Sequence, residues 1–386
     1  MRMQSIVMIA LVAAFTAPAR AQQSPAAASG APWTVQRATL HPGSAPTPTS
    51  IEIARGIAVR DDLTMRDGTI DFDLAPPMAR GGQFVGIAFR MASTADYEIV
   101  YFRSGEDGTR WCEIQYQPVF DGETSWQLLP GADYAADIPL VGDARAVPKP
   151  SHVRLVVRGT RADVYFESMT TPALRIRDLK RAPQPGSVGV WAVSPDGGVA
   201  WGAVNNFAVS DRVAAEPAPL PRIVTPAGQL MHWQVSARLP SRDSVNAPRA
   251  LTPALMEALF AGKKIEADSS GLVLLHKELG NPAGHQNENV FGGAGWGMAV
   301  ASTTINSATA RTAWLTFGYS DGISIFLNGV PVFAGRNDYQ VRYNGYLAYL
   351  STNADAVPLQ LRAGDNELVL IVTDKAFGWG FSARLP

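Results

Sequence analysis

Residues 312–333 read TAWLTFGYSDGISIFLNGVPVF. Leu315, Phe317 and Tyr319 alternate with Trp314, Thr316 and Gly318, the period of two expected of a strand with one buried face. Ser320-Asp321-Gly322 interrupts the alternation, and Asp-Gly favours a tight turn because glycine accepts φ > 0 freely. Ile323, Ile325 and Leu327 resume it, Asn328-Gly329 supplies a second turn, and Val330 to Phe333 reads as a third strand. The stretch predicts a three-stranded antiparallel meander, and its neighbours are expected to close a sandwich over it.

The same local grammar governs the whole chain. Its 386 residues suffice for two domains, and 35 glycines with 28 prolines suit short strands joined by turns. Charged residues make up 17% and the formal net charge is −1, which leaves no long-range field to steer nucleic acid or an anionic membrane. Residues 1–21 read as an export signal. Arg2 is basic, Ile6 to Phe15 is an apolar run, and Ala19-Arg20-Ala21 is an A-x-A cleavage site. Pro18 and Arg20 follow too soon for a membrane span, so a periplasmic or extracellular protein is expected. The single cysteine, Cys112, excludes an intrachain disulfide.

Residues 22–50 are Ala/Pro/Ser-rich and read as a flexible leader onto which Trp33 could dock. Strand signals then follow one another through 51–211, among them Thr69–Leu74, Phe84–Met91, Tyr97–Arg103, Trp111–Gln117, Trp126–Leu129 and His152–Arg158. A linker over 212–226 carries Pro217, Pro219, Pro221 and Pro226. The second β-rich segment, 227–386, has one helix signal, with Thr252 as N-cap, Pro253 at the first position and Gly262 beyond the end. Further strands are expected at Gly271–Leu275, Trp296–Ser302, Gly345–Leu350, Glu367–Thr373 and Gly380–Leu385. The fold expected is all-β: two β-sandwiches, with a short helix in the second.

The segments Gly68–Leu74, Gly86–Arg90 and Asp96–Arg103, with Arg154–Gly159, Ala162–Phe166 and Asn205–Val209, resemble the concanavalin A-like (laminin G-like) lectin/glucanase sandwich. Gly86, Ile87, Phe89, Arg90, Tyr97 and Glu98 are similar to a pattern of its 3-keto-disaccharide hydrolase-like branch. The C-terminal half, through Ser320–Gly322, Leu327–Gly329, Leu361–Val369 and Trp379–Phe381, resembles the galactose-binding-like jelly roll. The resemblance implies two jelly rolls in series and a carbohydrate-associated role. It does not decide between lectin, hydrolase and adhesion module.

Strand alternation sorts the side chains by face. Ile70, Phe72 and Leu74 share the apolar side of one strand, leaving Asp71 and Asp73 together on the other. Such a carboxylate pair could serve glycoside hydrolysis, or simply face solvent. With Val85, Ile87 and Phe89 inward, Arg90 is expected outward; with Val100 and Phe102 inward, Tyr101 and Arg103 point out and Glu98 in. With Cys112, Ile114 and Tyr116 inward, Trp111, Glu113, Gln115 and Gln117 point out. If these strands are neighbours, Arg90, Tyr101, Arg103, Trp111, Glu113 and Gln115 form one aromatic and polar patch, rimmed by Trp126. Sugars stack their C–H faces on rings and take hydrogen bonds from Arg, Glu and Gln. The plain alternative is a sheet face held by cross-strand pairs.

Leu279 to Met298 is a Gly/Asn-rich loop with His285, Asn289 and Trp296 that reads as a structural crossover or, alternatively, as a site for sugar or Ca²⁺. His41, His152, His232, His276 and His285 lack metal-ligand spacing, and no G-x-S-x-G elbow, P-loop or dinucleotide fingerprint occurs. His152 and His276 read as structural. The reading is an exported, non-catalytic carbohydrate-binding protein whose partner is a poly- or oligosaccharide. The alternatives are a glycoside or 3-keto-glycoside hydrolase using Glu98, Glu113 or Asp71, and an adhesion protein with a protein partner.

Overall fold

The computed structural model describes residues 26–27, 32–36, 38–77, 83–105, 110–139, 149–193, 201–241, 243, 245–280, 297–343 and 346–386. The export signal at 1–21 and the loop residues His285, Asn289 and Trp296 lie outside the described residues. Among those described, no helix is long and apolar enough to cross a membrane.

The principal strands of the first half are β1 (Ile51–Ala54), β2 (Gly56–Met65), β3 (Gly68–Leu74), β4 (Phe84–Ser93), β5 (Asp96–Ser104), β6 (Trp111–Phe120), β7 (Ala135–Asp137), β8 (Ser151–Arg158), β9 (Arg161–Phe166), β10 (Leu174–Ile176), β11 (Gly186–Val193) and β12 (Trp201–Ser210). They form two antiparallel sheets. The nine-stranded one runs Ala26–Ala27, Thr34–Gln36, β2, β11, β4, β5, β6, Glu123–Thr124, with β7 also on β6. The seven-stranded one runs β10, β9, β8, β3, β12, β1, Thr39–Leu40. Between them Phe72, Val85, Ile87, Val100, Phe102, Ile114, Tyr116 and Leu155 form the core. Burying each such side chain contributes about 1.5–3 kcal/mol. Arg158-Gly159-Thr160-Arg161 joins β8 to β9 as a hairpin, with Gly159 at φ +53. Trp33 docks against Phe207 with ring centroids 5.4 Å apart, and its indole donates to Thr47 O.

The second half contributes β13 (His232–Val235), β14 (Lys263–Glu266), β15 (Gly297–Ser307), β16 (Arg311–Ser320), β17 (Gly322–Leu327), β18 (Val330–Arg336), β19 (Asp355–Leu361), β20 (Gly364–Asp374) and β21 (Gly380–Arg384). One sheet runs β14, β13, β15, β20, β17, β18; the other runs Val273–Leu274, β21, β16, β19. The helix α1 (Pro253–Phe260) starts where expected, the Thr252 hydroxyl accepting from Leu255 N, and it packs Leu255 and Leu259 on Val300, Phe326 and Val369.

The expected meander does not form, because β16 and β17 belong to different sheets. Asp321 is buried and acts as a corner. Its amide donates to Thr373 O, and its carboxylate accepts from the Lys375 and Ala376 amides at 2.6 and 3.1 Å. Asp321-Gly322 therefore moves the chain from one sheet to the other, whereas Asn328-Gly329 (φ +51 and +80) makes a true hairpin from β17 to β18. Two other expected strands are corrected. Trp126–Leu128 is a single 3₁₀ turn, and the described part of Gly345–Leu350 carries no strand. Both lie where the two halves meet, and a backbone bond links them across that junction: Leu350 N donates to Gln127 O at 2.8 Å.

That junction is closely packed. Leu272, Leu274 and Leu350 extend the core of the first sandwich. Lys180 bridges Asp178 and Asp268 at 2.6 Å each, and Arg238 bridges Glu123 at 2.8 Å and Asp374 at 2.5 Å. His276 is buried between Ser125 Oγ at 2.6 Å and Trp379 O at 3.2 Å, a structural role as expected.

Candidate functional site

Along β5, Tyr97, Ile99, Tyr101 and Arg103 occupy the outer face of the nine-stranded sheet, while Val100 and Phe102 enter the core. The β5–β6 register sets Tyr101 opposite Gln115 and Arg103 opposite Glu113. Both pairs bond: the Tyr101 hydroxyl donates to Gln115 Oε1 at 2.5 Å, and Arg103 Nη1 donates to Glu113 Oε2 at 2.8 Å. Burial pushes the Glu113 carboxyl upward; Arg103 opposes that shift and the nearby Asp137 charge adds to it. The Arg103 guanidinium also lies 5.2 Å from the Phe84 ring centroid.

An absent side chain shapes the aromatic floor. Trp191 of β11, Gly86 of β4 and Tyr101 of β5 stand in one cross-strand row. A Cβ on Gly86 would come within 2.6 Å of Tyr101 Cβ and 2.5 Å of Val100 O. With hydrogen there instead, the Tyr101 and Trp191 rings meet across the intervening strand at 5.7 Å, and Phe84 packs on Tyr101 at 5.9 Å.

The second half roofs this floor. Trp126 is flanked by Tyr339, Tyr349 and Phe377 at 6.5, 5.6 and 5.1 Å, and Gln127 Nε2 donates to Leu347 O at 3.0 Å. Phe84, Tyr101, Arg103, Gln117, Trp126, Trp191, Tyr339 and Leu347 are among the residues enclosing a cavity of about 50 Å³. Burial raises the Tyr349 hydroxyl pKa, and the Glu113 charge reinforces it. Gln115 is fully buried; its Oε1 accepts from Tyr101, and its side chain, with that of Arg103, faces the Tyr349 hydroxyl and opposes the rise that burial gives it.

Of the expected patch, Tyr101, Arg103, Glu113, Gln115 and Trp126 come together, whereas Arg90 and Trp111 do not. Arg90 sits in a β-bulge at φ +50, where the β4–β5 register shifts. The bulge turns its guanidinium to Arg66 O, Asp67 and Gly159 O at 2.6, 2.9 and 2.7 Å. A second irregularity, between Arg103 and Ser104, leaves Cys112 as the extra residue of β6. Trp111 therefore enters the core against Phe102 and donates to Ala75 O, and Cys112 is only half-buried rather than inward.

Two catalytic candidates are also elsewhere. Glu98 lies inside the core, accepting from the Tyr116 hydroxyl and from Arg181 N at 3.1 Å. Asp71 is on the outer face of the opposite sheet, bonded to Arg154 at 2.7 Å and 3.5 Å from His152. Among the described residues, no group of three or more His, Cys, Asp or Glu is arranged to hold a metal ion. Sequence reasoning placed Gln117 on the outward face but missed Phe84, Trp191, Tyr339, Leu347 and Tyr349. For Phe84 and Trp191 the strand alternation carried the signal; the last three reach the site only through the packing of the two halves.

No family model matches the chain, and no curated protein matches it in sequence. Solved structures resemble part of it. A carbohydrate binding module, CBM66, from Bacillus subtilis shares 14% identity over 46% of this chain and 95% of its own, with a TM-score of 0.30. A protein of unknown function with a galectin-like fold, also from Bacillus subtilis, shares 10% over 46% and 88%, with a TM-score of 0.31. The Bacillus licheniformis beta-glucanase shares 13% over 41% and 69%, with a TM-score of 0.28. Each of these likenesses spans less than half of this chain. The all-β layered architecture rests on the strand pairings themselves.

Proposed function

We propose that the chain is an exported saccharide-binding protein that acts without turnover, and that its sugar contacts centre on Tyr101, Arg103 and Gln115. The observation that carries this reading is the cross-strand row. Two hydrogen-bonded pairs, Tyr101–Gln115 and Arg103–Glu113, lie beside the Phe84, Trp126 and Trp191 rings. Rings beside planar hydrogen-bonding groups match the two faces of a sugar. A cavity of about 50 Å³ has room for a hydroxyl or hydroxymethyl group, not a ring, so the body of the sugar lies outside it.

The hydrolytic alternative has less support. An acid and a base about 5–10 Å apart are needed across one bond, and Glu98 is buried in the core while Asp71 lies on the outer face of the other sheet. The N-terminal charged, apolar and A-x-A succession favours export to the periplasm or beyond. The test is a glycan array on the mature protein, followed by titration calorimetry of any hit. Binding without product release, weakened at least tenfold by Arg103→Ala, is expected. Release of reducing ends that Glu113→Gln stops would overturn the non-catalytic reading.

A further inference from the structure

On one flank of the first sandwich, β7 is paired to β6 and β10 to β9, and each is an edge strand among the described residues. Between them runs an open groove of about 660 Å³, lined also by Leu220 and Pro221. That volume falls within the roughly 300–1,000 Å³ typical of small-molecule sites. Small residues, Gly131, Ala132, Ala135 and Ala173 among them, line it and leave its walls unobstructed.

Most charges in the groove are already matched. Arg177 forks onto Asp133, with Nε 2.5 Å from Oδ1, and Arg175 Nε bonds Asp163 at 2.9 Å. Asp137 is the exception: it is exposed, without an ion-pair or hydrogen-bond partner among the described residues, and stands directly opposite Glu113 across the β6–β7 ladder. Two adjacent carboxylates present only acceptors. A run of vicinal hydroxyls supplies the matching donors without bringing a further charge.

The groove and the aromatic cavity share a wall. Glu113 lines the groove, Arg103 lines the cavity, and 2.8 Å separates their bonded atoms. Gln115 stands in the same row, opposite Tyr101 of the cavity on one side and Ala135 of the groove on the other.

We infer that the groove is an extended subsite for a neutral oligosaccharide. The terminal unit offers an exocyclic hydroxyl to the Tyr101–Gln115 pocket, and the following units lie along the groove with hydroxyls on Glu113 and Asp137. This rests on the saccharide reading above and adds that chain length, rather than a single sugar, is what the protein recognises.

The experiment titrates the mature protein with neutral gluco-, xylo- and N-acetylchito-oligosaccharides of increasing length by calorimetry. Ala173→Trp and Asp137→Asn are compared with the wild type, each checked for native circular dichroism. Ala173 is exposed and lines the groove but not the cavity, so tryptophan there fills the groove alone. In the wild type, affinity for one series should rise about tenfold or more from the single sugar to the longer members. Ala173→Trp should erase that gain while leaving single-sugar binding in place, and Asp137→Asn should reduce it. A length gain that survives Ala173→Trp overturns the groove assignment while the saccharide reading stands. Binding of no member by the wild type overturns both. Occupation of the groove by an extended peptide on β7 or β10, with sugars confined to the cavity, also overturns the assignment.

Discussion

Glu98→Gln separates a catalytic from a structural role for the most strongly buried carboxylate of the first sandwich. Burial pushes the Glu98 carboxyl up to about 7 from an ordinary 4.5, against the opposing Tyr116 hydrogen bond, the Arg181 amide and the Arg90 charge. Because the folded value lies above the unfolded one, the native state keeps a proton between pH 4.5 and 7 that the unfolded chain has released. Stability from this group is therefore lost as pH rises through that window, and the cost levels off above 7 at about 3 kcal/mol. Glutamine carries no such cost. Urea unfolding from pH 4.5 to 8 should show the variant gaining about 3 kcal/mol on the wild type, with the m-value unchanged. His276 has the opposite sign, since burial lowers its imidazole to about 4, but it is common to both proteins and cancels in the difference. A stability difference flat across the range would refute the burial argument. A variant that folds but loses saccharide binding would refute the assignment of Glu98 to the core rather than the site.

Other substitutions probe separate parts of the account. Gly86→Ala should wedge the Tyr101 and Trp191 rings apart, because its Cβ would lie 2.6 Å from Tyr101 Cβ; calorimetry should show weaker saccharide binding, and near-ultraviolet dichroism a changed aromatic signal. Trp126→Ala removes a ring flanked by Tyr339, Tyr349 and Phe377 and should cost about 3–5 kcal/mol in denaturant unfolding. Arg238→Met leaves Glu123 and Asp374 buried without their shared cation and should cost about 3–5 kcal/mol at pH 8. The loss should be smaller at pH 5, where those carboxylates, already raised by burial, can hold protons. His276 is held neutral, so acid unfolding should carry a component as pH falls from 6.5 toward 4 that His276→Gln lacks.

Period-two burial made most strands legible, because each sheet has one face in a core. Thr69–Leu74 and His152–Arg158 were expected within a residue of the observed β3 and β8. The same rule failed at single-residue insertions. One bulge at Arg90 and another beside Cys112 inverted the faces of Arg90 and Trp111, since adding one residue exchanges inside for outside. Asp321-Gly322 carried a turn signal, but a buried carboxylate satisfied by the Lys375 and Ala376 amides made it a corner between sheets. Local residue types do not encode such a long-range bond. The Tyr101, Arg103, Glu113 and Gln115 row was legible because no bulge separates those four positions along their strands. Its roof was not, because Tyr339, Leu347 and Tyr349 reach it only once the two halves have docked.

The central claim is that the Tyr101–Gln115 and Arg103–Glu113 row contacts sugar. It is tested most directly by titrating ¹⁵N-labelled side-chain amides and guanidinium groups of the mature protein with the best-binding oligosaccharide. The account expects the Gln115 amide and the Arg103 guanidinium to shift saturably with the affinity measured by calorimetry, and Arg90, turned to Asp67 and Gly159, to stay still. Saturable sugar binding that leaves Gln115 and Arg103 unmoved would contradict it.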